Sequence, residues 1–273
     1  MLEILSFEFM QNALMAALLA SVACGVIGTL VVVNRLVFMA GGIAHTAYGG
    51  VGLALFFGLP VMPCSIAFTL GAAWLMAAMT YRHEERLDSV VGLLWAGGMA
   101  LGIILMDLTP GYHVDLMSYL FGSILSVPRF NVWLMLLLVL LILGIIGLGY
   151  KKLWVMSFDL EFAKARGINV KGLYFLLLSL VAVTVVLIIQ VVGLILVIAL
   201  LTIPPFLAET QTVSLHRMMG LAVLWSAFFC LGGLLVSYAA DISSGASIIA
   251  VGVIVALIVF SAGKLFGFTR NAR

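Results

Sequence analysis

Charged side chains are scarce in this chain, and that scarcity decides its class. Only 9% of its 273 residues are Asp, Glu, Lys or Arg against 65% hydrophobic residues, and the mean hydropathy is +1.31. No soluble core of this length conceals so much apolar surface, so the chain reads as an all-α polytopic membrane protein without a soluble domain. Cysteine is nearly absent too. Cys24, Cys64 and Cys230 stand singly in apolar runs, which excludes a disulfide framework or a C-x-x-C site. There is no G-x-x-x-x-G-K-[ST], so the chain is not itself a P-loop ATPase. There is no H-E-x-x-H or nucleophile–base constellation of the kind an intramembrane enzyme needs. The net charge of +2 says little about partners. Residues 1–9 lack the basic start of a cleavable signal, so the first apolar run is expected to remain as a helix.

What fills the chain is a series of apolar runs. A span needs roughly 20 apolar residues, so the length allows about eight to ten helices. The runs predict nine, near 9–33, 43–59, 62–81, 90–106, 132–149, 173–190, 191–207, 218–238 and 246–262. They make residues 1–273 a single transmembrane domain. The block 173–207 is expected to fold as a tight hairpin turning at 190–193, with Pro204-Pro205 breaking its second arm. Nine spans place every Lys and Arg except Arg129 on one side of the membrane. The positive-inside rule then sets the N-terminus outside, or periplasmic, and the C-terminus in the cytoplasm. Paired glycines such as Gly49-Gly50 and Gly97-Gly98 allow helices to approach closely in lipid.

The longest polar interval is 151–172. Within it, helix formers fill 160–166, the acids Asp159 and Glu161 precede the bases Lys164 and Arg166, and Gly167 follows where a C-cap falls. This pattern predicts a short helix on the cytoplasmic surface near 158–167. It suits a docking stub, and it suits an ordinary solvated loop.

Few polar residues lie at membrane depth. His45 falls early in the second span among small residues, where a neutral imidazole suits Zn²⁺, Mn²⁺ or Fe²⁺, or a hydrogen bond to another helix. Toward the outer side, Asp107, His113 and Asp115 cluster around Thr109-Pro110-Gly111 and offer oxygen and nitrogen ligands to a cation, or simply solvated loop groups. Asp241 precedes the last span, where it faces the same side or caps that helix.

Four stretches carry a resemblance: 41–52 with its histidine, 157–167, 192–208 (VGLILVIALLTIPPFLA) and 237–249 (SYAADISSGASII). In this order they resemble the permease subunit of the zinc/manganese/iron family of ATP-driven importers, the metal ABC-3 family, over nearly the whole chain. The resemblance implies that 161–167 (EFAKARG) is similar to the E-A-A-x-x-x-G coupling helix of such importers. Asp159, Glu161, Ala163 and Gly167 then couple the chain to a separate ATPase, with Glu161, Ala163 and Gly167 forming the docking face. His45 carries over as a metal ligand, joined by Asp107, His113, Asp115 or Asp241. The sequence departs from the pattern at Gly41, where metal-binding members usually carry an aspartate one turn before the histidine.

The implied protein is a non-enzymatic transporter subunit of a bacterial or archaeal cytoplasmic (inner) membrane. It would act as a homodimer embedded in lipid and hold no cofactor of its own. An ABC ATPase would bind ATP and a separate metal-binding protein would deliver the ion: zinc first, then manganese or iron. A cobalamin- or haem-type ABC permease and a self-contained secondary cation carrier are the alternatives.

Overall fold

The computed structural model describes residues 7–81, 84–110, 124 and 127–266, and the described residues are helical with short connections. The helices are α1 (Glu8–Val33), α2 (Val37–Phe57), α3 (Val61–Thr80), α4 (Leu87–Asp107), α5 (Arg129–Phe158), α6 (Leu160–Ala165), α7 (Val170–Val192), α8 (Leu194–Gln211), α9 (Leu215–Ala240) and α10 (Ser244–Phe266). Among the described residues, nine are long and apolar enough to cross a membrane, and only α6 is too short. At 1.5 Å per residue a 20-residue helix spans about 30 Å, the thickness of the hydrocarbon layer. The 30-residue α5 therefore reaches about 45 Å and carries Lys151 and Lys152 out of the lipid on its last turns.

Burial sorts the spans. The membrane window of α1 is 72% buried and that of α10 only 22%. Small residues explain the burial of α1, because Ala13, Ala16, Ala17, Ala20 and Ala23 let its neighbours close in. A Cβ on Gly25 would lie 2.5 Å from Val223 N on α9, and one on Gly28 would lie 2.6 Å from Leu201 O on α8. Around α1 gather α8, α9 and α5. A second group forms where α2 packs against α4, α3 and α7.

The α2–α4 seam is a backbone contact. Cβ atoms on Gly52 and Gly102 would fall onto Gly102 O and Tyr48 O, and one on Gly98 would come 2.8 Å from Thr46 Cα. Gly98 and Gly102 are four residues apart on one face of α4, the small-xxx-small spacing of close-packed membrane helices.

Four helix ends share one chemistry. At Arg35, Gly58, Gly167 and Asp241 the backbone turns left-handed, and the amide after each bonds a carbonyl five residues back. Gly193, at φ 82, makes the hairpin between α7 and α8 where the sequence placed it. The expected break at Pro204-Pro205 does not occur, because α8 continues to Gln211. The prolines remove two backbone donors, but Gly28 leaves room for the Pro205 ring and Leu201 O against α1, so packing holds the helix through the defect.

Candidate metal path and coupling stub

His45 is the ninth residue of α2, about 12 Å along a helix whose middle turns are otherwise buried. Its ring lies flat on Trp95, the ninth residue of the parallel α4, with centroids 4.0 Å apart and planes at 13°. Phe38 lies tilted to Trp95, with ring centroids 6.3 Å apart. The Trp95 indole N–H donates to Met99 Sδ at 3.2 Å, one turn further along its own helix, which fixes the ring on which His45 rests. The imidazole itself is half-buried, and among the described residues its buried Nδ1 has no hydrogen-bond partner. A buried ring nitrogen without a hydrogen-bond partner is uncommon in a folded protein.

One turn before His45, the buried Gly41 leaves space beside its Cα on the same face. A Cβ built there meets nothing within 4 Å, whereas one on the adjacent Gly42 would lie 2.5 Å from a Val91 methyl. Room for a Cβ is thus present at Gly41, although the carboxylate usual in the resembling family is not.

Of the other predicted ligands, Asp107 and Asp241 lie among the described residues. Asp107 ends α4 twelve residues beyond Trp95, about 18 Å along the helix. Asp241 is not the cap of the last helix; it forms the left-handed turn that ends α9, at φ 53 and ψ 46. Its place in the turn follows from the Ser237 hydroxyl, which donates to Ile242 O at 2.6 Å across it. Among the described residues no three His, Cys, Asp or Glu side chains form a metal-binding group. His113 and Asp115 lie outside the described residues. Sequence reasoning missed Trp95, whose signal was an indole in the interior of an apolar run with no partner spacing to announce it.

At the opposite end of α5 the predicted stub forms α6. The Asp159 carboxylate accepts from Phe162 N at 2.8 Å as its N-cap, Glu161 pairs with Lys164 at 2.8 Å, and Gly167 at φ 71 closes the turn. Ala163 is 0% exposed, with its side chain turned inward from the surface that Leu160 and Phe162 present. Its methyl seats the stub on the body of the protein. Leu160 and Phe162, at 41% and 46% exposure, face outward with Glu161, and the Arg166 guanidinium lies over the Phe162 ring at 5.2 Å.

Both flanks of the stub are tied to other spans. Asn34 at the end of α1 donates to Ser157 Oγ at 2.9 Å. Tyr174, early in α7, donates to Met39 Sδ of α2 at 3.3 Å and meets Thr80 Oγ1 of α3 at 3.0 Å. The stub is thereby connected to the helix that carries His45.

The model of the ABC 3 transport family matches residues 6–263. An uncharacterized membrane protein of Synechocystis sp. is 46% identical, covering 94% of this chain and 92% of its own. The manganese transport system membrane protein MntC of Halalkalibacterium halodurans is 33% identical, over 91% and 85%. The solved structure of PsaBC from Streptococcus pneumoniae in complex with Fab superposes with a TM-score of 0.84 at 30% identity, covering 93% of this chain and 92% of that one. The family match over nearly the whole chain and the long relatives agree with the nine apolar helices: this multi-pass protein of the bacterial inner membrane belongs to the ABC 3 transport family.

Proposed function

We propose that the chain is the permease subunit of an ATP-driven importer of a divalent transition metal, with manganese as the first candidate. The observation that carries this is the similarity, over about nine-tenths of the chain, to proteins named as manganese transport system membrane proteins. Zinc follows manganese as the second candidate, since the imidazole that both ions accept does not choose between them.

In this reading His45 supplies a nitrogen ligand from the face of α2 that it shares with Gly41. A second copy related by a two-fold axis would bring a second imidazole, and water would complete the shell. Such a site binds loosely, which suits a pore that must release what it admits. Asp107, His113 and Asp115 would draw cations toward the outer mouth, and Asp241 would add charge at that same end. A separate ABC ATPase would dock on Leu160, Glu161 and Phe162, with Asp159 and Gly167 holding the stub in shape and Ala163 seating it. Closure of the ATPase pair would reach α2 through α7 and Tyr174. A separate binding protein would load the ion from outside.

The test is uptake of Mn²⁺, Zn²⁺ and Fe²⁺ into vesicles holding the chain with its ATPase and binding protein, with and without ATP. Manganese uptake that requires ATP supports the proposal, faster zinc uptake changes the ion, and no metal uptake removes the function. Glu161→Lys should insert normally and lose uptake through the docking contact; normal uptake by that variant would remove the stub from the coupling path.

A further inference from the structure

At the end of the bundle opposite α6, the N-termini of the parallel helices α1 and α5 frame an apolar groove of about 310 Å³. Met15 and Leu18 of α1 and Val132, Trp133 and Leu136 of α5 line it, and Arg129 stands at its mouth. From Arg129 to Leu136 the groove descends about 10 Å along α5. Trp133 is 62% exposed one turn below the charged rim, the level at which indoles sit at a membrane interface.

The rim carries both signs of charge. Glu8 Oε1 lies 3.7 Å from Arg129 Nη1, and both side chains are largely exposed. At that separation the two form a long ion pair without a hydrogen bond, so each keeps hydrogen-bonding positions for other partners. Arg129 keeps donors free in its planar fork, and Glu8 keeps acceptor positions.

We propose that this groove is a binding site for a phospholipid with a primary ammonium headgroup, of the phosphatidylethanolamine class. One acyl chain lies along Leu18, Val132 and Leu136, the phosphate accepts from Arg129, and the ammonium donates to Glu8. A choline headgroup has no N–H to give Glu8, and a glycerol headgroup brings no positive charge to it. Charge complementarity thus selects the ethanolamine head, and the apolar wall accepts its tail.

The test uses the full chain in vesicles of phosphatidylcholine into which tail-brominated lipids are titrated. Quenching of Trp133 fluorescence is isolated as the difference between the wild type and Trp133→Phe. Brominated phosphatidylethanolamine should bind about two- to fivefold more tightly than brominated phosphatidylcholine or phosphatidylglycerol, the range of one exposed ion pair. Glu8→Gln should bring that ratio close to one, and Arg129→Gln should weaken all three lipids. A preference for phosphatidylglycerol, equal quenching by all three lipids, or a Glu8→Gln chain with the wild-type ratio would each overturn the proposal. Trp133 shielded from every brominated lipid would overturn it too, by giving the groove to a protein surface.

Discussion

The imidazole of His45 and the indole of Trp95 are stacked face to face, 4.0 Å between centroids, on equivalent turns of two parallel helices. The stack fixes the plane of the imidazole, whose buried Nδ1 has no hydrogen-bond partner among the described residues. An offset aromatic pair contributes about 0.5–1.5 kcal/mol beyond its buried area. Trp95→Leu should therefore insert and fold, yet raise the metal concentration for half-maximal uptake by about three- to tenfold, because the ring loses its platform. Trp95→Phe should recover most of the loss. Concentration-dependent uptake by the three chains checks both.

Gly41→Asp places a carboxylate one helical turn from His45, where a Cβ meets nothing within 4 Å. The expected result is a normally folded chain with tighter ion binding at this site, since a hard oxygen ligand joins the imidazole on one face. Equilibrium dialysis of the purified assembly against Mn²⁺ should give a lower Kd than the wild type, and turnover should slow as release becomes rate-limiting.

Gly52→Ala tests the α2–α4 seam. The added methyl has only the Gly102 backbone to meet, so the helices must separate, at about 1–3 kcal/mol for overpacking. Its neighbour in kind, Gly97, faces open space, and Gly97→Ala should be neutral or stabilise the helix by about 0.5–1 kcal/mol. Thermal unfolding in detergent should lower Tm for the first and leave or raise it for the second.

Asp241→Gly separates a turn from a ligand. A non-glycine residue held left-handed costs about 1–2 kcal/mol, somewhat less for Asp, so glycine should raise Tm slightly at φ 53. Metal uptake should stay at the wild-type level if the residue only ends α9. Lost uptake with raised Tm would assign the carboxylate to the ion path.

The spans were legible because each is an apolar run of membrane length bounded by polar or breaking residues. The largest difference at a helix start is at α2: Gly41-Gly42 weakens the hydropathy signal, whereas the structure begins the helix at Val37 and buries both glycines. The stub was readable from Asp159, Glu161, Lys164 and Gly167, whose capping and charge order act locally. The inward turn of Ala163 was not, because burial of one methyl depends on what lies beneath it. Pro204-Pro205 misled for the same reason: the compensating room comes from Gly28, more than 170 residues earlier in the chain. His45 announced itself by type and depth, while its platform Trp95 lies fifty residues away and shows only when α2 and α4 are packed.

The most direct measurement is ATP-dependent manganese uptake by the reconstituted assembly containing either the wild-type chain or His45→Ala, with ATP hydrolysis recorded alongside. The account predicts that the alanine chain assembles and still hydrolyses ATP but loses most of its uptake, because the imidazole is the ion's foothold on α2. Uptake at the wild-type rate without that imidazole would contradict it.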